Sequence, residues 1–260
     1  MSDEKVVSGI IQADKLQQYV DTFSALVDEC KFRFDGDGIT TSAVDPANVA
    51  AYHDVNLSAH AFESYDAPGQ IAFGVSLNKL DDYLGSANSD DLVNISIDME
   101  TRHLVIRYRE IRHEMALIDP DSVRNDPDLP DLELPNHVVV PADALEEAAK
   151  NIDLVTDHIW FAAEDDPNDP SVRQFVAYGE GDTDNTSVRW DAEDLTRAKL
   201  NGDVESCYGL PYVLDLTKAM PSGEEVTIHF GEEFPTIWEW QTFGGDLTVT
   251  SLLAPRITAD

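Results

Sequence analysis

The sequence is poor in basic residues, in cysteine and in long apolar runs. Its 260 residues contain 17 Lys and Arg against 51 Asp and Glu, which gives a formal net charge of -34. A protein that binds nucleic acid through bulk positive charge is excluded at low salt, because such binding rests on Lys and Arg neutralising phosphates. The hydrophobic content of 42% is nevertheless enough to fill the core of one large domain or two ordinary ones.

The two cysteines, Cys30 and Cys207, are far apart and form no metal-binding or redox spacing. Both lie in apolar strand-like segments, which favours buried small hydrophobic residues. No apolar stretch approaches the roughly 18 residues of a membrane-spanning helix. The N-terminal residues also lack a basic stretch followed by an apolar run, the pattern of a signal peptide. We therefore expect a soluble, cytoplasmic protein.

The carboxylates are spread along the whole chain, while the periodic apolar pattern continues among them. This distribution indicates a folded protein with an acidic surface rather than an acidic tail. At about 1 M salt the Debye length falls to roughly 3 Å, so the self-repulsion of such a surface largely vanishes. The composition therefore indicates adaptation to a cytoplasm that holds molar salt.

A weak internal repeat divides the chain. Apolar residues at helical spacing follow Ala13 and again Ala142, an offset of 129 residues, and a short strand-like run lies on either side of each. Each half then contains a second amphipathic segment and three strand-like runs. The pattern predicts an α+β fold of two similar domains. The closing strands are expected at 92–98, 103–109 and 112–118 in the first half, and at 225–230, 236–241 and 247–253 in the second.

The segment between the two halves holds four prolines in residues 119–135 and almost no periodicity. Proline fixes φ and has no N–H to donate, so this segment is expected to be an extended connector on the surface. The predicted organisation is a first domain over 1–118, a connector over 119–135 and a second domain over 136–260.

No enzyme signature is present: the sequence has no nucleophile elbow, phosphate-binding loop, dinucleotide fingerprint or H-E-x-x-H motif. The seven histidines are dispersed. The acidic loop 164–169 lacks the glycine and the distal glutamate of an EF-hand loop. We expect no cofactor, no resident metal and no catalytic residue. A salt-adapted enzyme on a duplicated α+β fold, with Asp45 or Asp165 as a metal ligand, stays open as an alternative.

Three segments, in order, resemble one family. They are DGITTSAVDPANV at 37–49, YGLPYVLDLTKA at 208–219 and LLAPRI at 252–257. Together with the two-unit repeat and the proline-rich connector, they resemble the proliferating cell nuclear antigen type of DNA sliding clamp over essentially the whole chain. The acidic composition is that of a halophilic archaeal member.

The resemblance implies a homotrimeric ring around duplex DNA, with two clamp domains per subunit, helices lining the hole and antiparallel sheets outside. Such a ring has no catalytic activity and confers processivity on DNA polymerase. Its expected partners are DNA polymerase, an ATP-driven clamp loader, flap endonuclease and DNA ligase, which bind through short client peptides. Subunits are expected to pair strand 111–117 with a strand near 187–190. A heteromeric or checkpoint-type clamp subunit is the second alternative.

Two sets of residues follow from the resemblance. Lysines are expected to face DNA at only a few positions, because Gln17, Gln18 and Asp82 stand where the family usually has lysine. These DNA-facing residues are Lys15, Lys79, Lys150 and Lys218. The residues expected to form the client-peptide groove are Val44, Val49, Leu129, Pro130, Leu132, Pro235, Leu252, Ala254, Pro255 and Ile257.

Overall fold

The computed structural model describes residues 5–67, 69–126 and 132–256. The chain forms two compact units, the first over 1–127 and 241–249, the second over 128–240 and 250–260. In the described part of the chain the longest helix has 12 residues, and no helix there is long and apolar enough to cross a membrane.

The first half of the chain supplies most of the first unit. Its elements are β1 (Lys5–Gln12), α1 (Ala13–Ser24), β2 (Glu29–Asp35), β3 (Gly38–Val44), β4 (Ala50–Ser58), β5 (Phe62–Asp66), β6 (Ile71–Ser76), α2 (Leu77–Leu84), β7 (Leu92–Asp98), β8 (His103–Tyr108) and β9 (Ile111–Ala116).

The second half repeats this order of elements. They are β10 (Asn136–Pro141), α3 (Ala142–Ile152), β11 (His158–Asp165), β12 (Arg173–Glu180), β13 (Asn185–Asp191), β14 (Arg197–Lys199), β15 (Val204–Gly209), α4 (Leu210–Lys218), β16 (Glu225–Phe230), β17 (Thr236–Thr242) and β18 (Leu247–Leu253). The predicted duplicated α+β architecture is confirmed, and the helices that open the two halves begin at Ala13 and Ala142, 129 residues apart.

The sheets repeat as well as the element order. In the first unit, one sheet has the order β5-β1-β7-β8-β9, and strands β4, β3, β2 and β6 pair in that order. The second unit repeats this arrangement. Its strands pair in the order β14-β10-β16-β17, which corresponds to β5-β1-β7-β8, and a separate four-stranded sheet has the order β13-β12-β11-β15. β9 and β13 are therefore edge strands of their sheets, six and seven residues long.

The helices begin in the same way in both units. None of α1 to α4 has a side-chain cap; instead, a backbone carbonyl accepts a hydrogen bond from the first N–H of each helix. These bonds satisfy one of the donors that every helix N-terminus leaves unpaired. They run from Ala13 to Asp91 (2.9 Å), from Ala142 to Glu224 (2.9 Å), from Leu77 to Asp28 (2.9 Å) and from Leu210 to Asp157 (3.0 Å).

Aromatic residues dominate both cores. In the first unit, Tyr19 and Phe23 lie on the buried face of α1 and pack edge-on against Phe32 and Tyr52, with centroid distances of 5.2 and 5.5 Å. The buried Tyr19 hydroxyl shares a 2.7 Å hydrogen bond with the Thr41 hydroxyl, which satisfies a polar group that would otherwise be costly to bury. In the second unit the equivalent cluster consists of Phe161, Phe175, Tyr208, Phe230 and Trp238.

A histidine pair lies on paired strands of the second unit. His137 on β10 is directly opposite His229 on β16, with ring centroids 5.6 Å apart, and Glu239 Oε2 lies 2.9 Å from His229 Nε2. The pKa of His137 is lowered, first by desolvation and then by the charges of His229, Lys199 and Arg197. The hydrogen bond from His229 lowers the pKa of Glu239.

Both shifts make the folded protein less stable as the pH falls. A group with a depressed folded-state pKa stabilises the fold above its unfolded pKa, and this stabilisation is lost as the pH falls through the folded pKa. For His137 the loss begins below about pH 6.5, the ordinary histidine value. We expect His137→Gln to flatten the fall in melting temperature below that pH, measured by thermal melts in molar KCl. An unchanged pH profile would contradict this assignment.

Candidate functional site

The turn between β3 and β4 carries Val44 and Val49, two residues predicted to bind client peptides. Its centre is Asp45, whose buried carboxylate accepts hydrogen bonds from the N–H groups of Ala47 (2.8 Å), Val49 (2.6 Å) and Ala50 (2.8 Å). An aspartate that binds backbone N–H groups just after itself builds a turn locally. Val44 and Val49 are half-buried and flank this turn.

An open pocket of about 520 Å³ lies beside the turn in the first unit. The turn contributes Val44 and Pro46, the end of α1 and the loop after it form another side, and Arg124 contributes a cationic side chain. The lining residues are Ser24, Ala25, Leu26, Val27, Asp28, Glu29, Val44, Pro46 and Arg124. The sequence indicated only Val44 in this set. Asp28 and Glu29 are exposed, so an apolar wall lies next to negative charge.

In the second unit, the loop after β16 presents Phe234, with 51% of its surface exposed, next to the predicted Pro235. A Cβ on Gly231 would lie 3.2 Å from Pro135, 3.5 Å from Phe234 and 3.6 Å from Leu134, so these apolar side chains surround one point. The hydroxyl of the buried Tyr208 donates a 2.9 Å hydrogen bond to the Phe234 carbonyl and anchors the loop. Sequence reasoning missed Phe234 and Leu134, although both are apolar neighbours of predicted residues.

The segment after β18 is also anchored within the second unit. The Arg256 N–H donates a 2.7 Å hydrogen bond to the Cys207 carbonyl on β15. Leu252 is buried, and Ala254 and Pro255 are half-buried, as is Leu132 near the start of the second unit in sequence. The three remaining groove predictions, Leu129, Pro130 and Ile257, lie outside the described residues.

The four predicted DNA-facing lysines differ in the exposure and the contacts of their side chains. Lys79 and Lys218 are exposed, on α2 and α4. On α3, Lys150 Nζ lies 2.7 Å from Glu146 Oε1, a one-turn ion pair. On α1, Lys15 Nζ lies 3.0 Å from Asp246 Oδ2 and 5.7 Å from the centroid of the Phe243 ring, with 18% of its side chain exposed. Lys15 is thus the most constrained of the four.

The four helices are acidic overall. Beside these four lysines they carry eight carboxylates. One of them, Asp215 on α4, has its pKa raised by burial, an effect that the charge of Lys218 partly offsets. Any DNA surface formed by these helices therefore attracts phosphate weakly, because bound Lys and Arg supply the electrostatic part of DNA affinity.

The carboxylates considered as metal ligands are bonded to protein groups. Asp45 binds the turn described above, and Asp165 Oδ1 lies 2.7 Å from Arg173 Nη1, which is also 2.7 Å from Asp203. In the acidic loop, Asp166 accepts hydrogen bonds from the N–H groups of Asn168 (2.6 Å) and Asp169 (3.0 Å). Over the ranges that the structure describes, no group of three or more His, Cys, Asp or Glu is arranged to hold a metal ion.

Comparison with known proteins agrees with the duplicated fold. Residues 8–121 match the family model for the proliferating cell nuclear antigen, N-terminal domain. The chain is 43% identical to the DNA polymerase sliding clamp of Natronomonas pharaonis, over 96% of this chain and 98% of that protein. It is 40% identical to the clamp of Halobacterium salinarum, with the same coverage.

A solved structure gives the same result for the fold. The structure of A. fulgidus PCNA with the C-terminal region of FEN-1 bound superposes with a TM-score of 0.88 and 28% identity, over 98% of this chain and 100% of that one. Three findings lead to one conclusion. The two halves share one element order, the family model matches residues 8–121, and the sequence is 43% and 40% identical to two halophilic clamps over nearly its full length. The chain belongs to the proliferating cell nuclear antigen family and is a DNA polymerase sliding clamp.

Proposed function

We propose that three copies of this chain close into a ring around duplex DNA and hold DNA polymerase on its template. The observation that carries this proposal is that β9 in the first unit and β13 in the second are both edge strands of their sheets. An unpaired edge invites another strand. A head-to-tail contact between two different edges forms a ring when the rotation closes. We expect β9 to pair with β13 of the next copy, as the resemblance implies, because this contact joins two different edges and is therefore head-to-tail.

Client enzymes bind this ring through short peptides. In the first unit the binding residues are Val44 and Val49, beside the open pocket. In the second unit they are Leu132, Pro235, Leu252, Ala254 and Pro255, to which the exposed Phe234 is added; Leu129, Pro130 and Ile257 complete the proposed set. Apolar pockets next to backbone groups suit an anchored peptide. The bound FEN-1 region on A. fulgidus PCNA supports this use of the fold.

The ring acts as a platform without catalytic activity of its own. Its proposed partners are DNA polymerase, the ATP-driven clamp loader, flap endonuclease and DNA ligase. The net charge of -34 suits a cytoplasm with molar salt, where phosphate contacts contribute little. Retention on DNA then depends on encirclement, and the exposed Lys79, Lys150 and Lys218 add weak backbone contacts.

The test is retention on circular DNA. Loaded by its clamp loader in molar KCl, the protein should stay on a nicked circular plasmid and leave when the plasmid is cut to a linear form, as measured by gel filtration. Equal retention on circular and linear DNA would contradict encirclement. We expect the triple change of Lys79, Lys150 and Lys218 to Ala to leave loading intact and to reduce polymerase stimulation. Unchanged polymerase stimulation would refute the proposed contacts of these three lysines with DNA, but it would not contradict encirclement.

A further inference from the structure

The first part of the connector is anchored to the first unit. Ile118 and Gly74 exchange two backbone hydrogen bonds, of 3.0 and 2.8 Å. Val123 is buried, at 5% exposure, against Gly74, where an added Cβ would come within 2.5 Å of a Val123 methyl. Residues 120–122 form a 3₁₀ turn instead of the extended chain expected from sequence. The connector is therefore held against the first unit as far as Val123, the residue before Arg124.

Arg124 joins this segment to the turn that carries Val44 and Val49. Its Nη1 donates a 3.0 Å hydrogen bond to the Asp45 carbonyl, and its Nη2 donates a 2.6 Å hydrogen bond to Asn48 Oδ1. Asn48 lies in this turn and has a left-handed backbone, with φ of 59°. One guanidinium thus fastens two separate points of the turn to the connector.

Both acceptors of Arg124 are uncharged, which matters for a protein in molar salt. A second connector contact, the ion pair of Arg33 with Asp126, joins two opposite charges, and 32% and 43% of the two side chains are exposed. At about 1 M salt such an exposed pair is largely screened. Hydrogen bonds from a guanidinium to a carbonyl and an amide do not depend on a second charge, so the Arg124 contacts persist where the ion pair weakens.

We propose that Arg124 is a positioning residue for client-peptide binding and that it works independently of salt. The inference rests on the proposed peptide-binding function. By fixing the turn against the connector, Arg124 holds Val44 and Val49 in their bound arrangement before the peptide arrives. Preorganisation of this kind raises affinity because less conformational freedom is lost on binding.

The experiment measures binding of a fluorescent synthetic peptide with the sequence of the A. fulgidus FEN-1 C-terminal region, by anisotropy, at about 0.15 M and about 1 M KCl, where the Debye lengths are roughly 8 and 3 Å. We expect Arg124→Ala to weaken binding about tenfold at both salt concentrations, a fold-change typical of a residue that matters to an interface. Arg33→Ala is the matched control, since it removes the same charge near the same segment. It should weaken binding only at the lower salt concentration.

A second variant separates positioning from a general loss of folding. Asn48→Gly removes one acceptor while it tolerates the left-handed backbone. If Arg124 acts through this turn, the double variant, Arg124→Ala with Asn48→Gly, should lose less binding free energy than the sum of the losses in the two single variants. Residues that act on the same contact are coupled, so their effects are not additive. Circular dichroism of each variant at the same salt concentrations shows whether it is folded, and Arg124→Lys should recover part of the loss.

The outcomes separate this inference from the proposed function. No binding of the peptide by the unaltered protein would refute the peptide-binding function itself. Binding by the unaltered protein that is unchanged in Arg124→Ala would refute only the role of Arg124. A loss in Arg124→Ala that disappears at about 1 M KCl, as in Arg33→Ala, would also overturn it, since the contact would then be an electrostatic one.

Discussion

In molar KCl the protein should have a solution mass of about 86 kDa, three times its 28.8 kDa, and in dilute buffer the mass should fall toward that of one chain. A trimer carries three times the net charge of -34, so its subunits repel one another strongly. At about 1 M salt the Debye length of roughly 3 Å screens this repulsion, whereas at about 0.01 M it is roughly 30 Å. Light scattering over a KCl series measures the mass directly.

A variant on the β13 edge shows whether strand pairing holds the ring. Val188 is half-buried on β13, and Asn185 is exposed at the start of the same strand. We expect Val188→Asp to give monomers even in molar KCl, because it places a charge in the contact, while Asn185→Asp, a similar added charge, leaves the trimer intact. A 28.8 kDa monomer of the unaltered protein at every salt concentration would contradict the homotrimer and favour a heteromeric clamp.

The melting temperature should also fall as KCl is removed. The acidic surface has few cationic side chains to balance it, 17 Lys and Arg against 51 Asp and Glu. Several of the described lysines and arginines already form ion pairs with nearby carboxylates, such as Lys15 with Asp246 and Arg173 with Asp165. Unscreened repulsion among the remaining carboxylates destabilises the compact state. Melting of the monomeric Val188→Asp variant over the KCl series would separate this effect from loss of the trimer.

Much of the fold could be predicted because periodicity records which side of an element is buried. The strands β7, β16 and β18 have the predicted bounds, 92–98, 225–230 and 247–253. β9 begins at Ile111, one residue before the predicted start, and ends at Ala116. Strand ends depend on pairing partners, which a single sequence does not show, and this explains the differences of one or two residues.

The candidate binding residues of each unit could be predicted only in part, because they come from segments that are distant in sequence. Val44 and Pro235 were indicated by resemblance to the family, whereas Phe234 and Leu134 are recognised only when the structure brings them around Gly231. The role of Arg124 was also hidden, since its acceptors, the Asp45 carbonyl and the Asn48 amide, lie 79 and 76 residues earlier in the chain. Long-range polar contacts leave no periodic signal, in contrast to buried strands.

The largest effect on client binding is expected from Phe234. Its ring is 51% exposed on a loop that Tyr208 anchors, so it offers apolar area at little cost in loop ordering. Exposed aromatic residues of this kind often dominate the binding energy of an interface. We expect Phe234→Asp to weaken binding of the FEN-1 peptide more than tenfold, roughly 1.4 kcal/mol or more, as measured by anisotropy in molar KCl.

Leu92 gives a matched control, because it is 52% exposed and lies on β7 in the first unit, outside the proposed peptide-binding residues. Leu92→Asp adds the same charge and removes an equally exposed apolar side chain, so general effects of charge and solubility are equal in the two variants. If both variants lost the same affinity, the effect would be one of net charge on the whole surface. A loss confined to Phe234→Asp would locate client binding at the loop after β16.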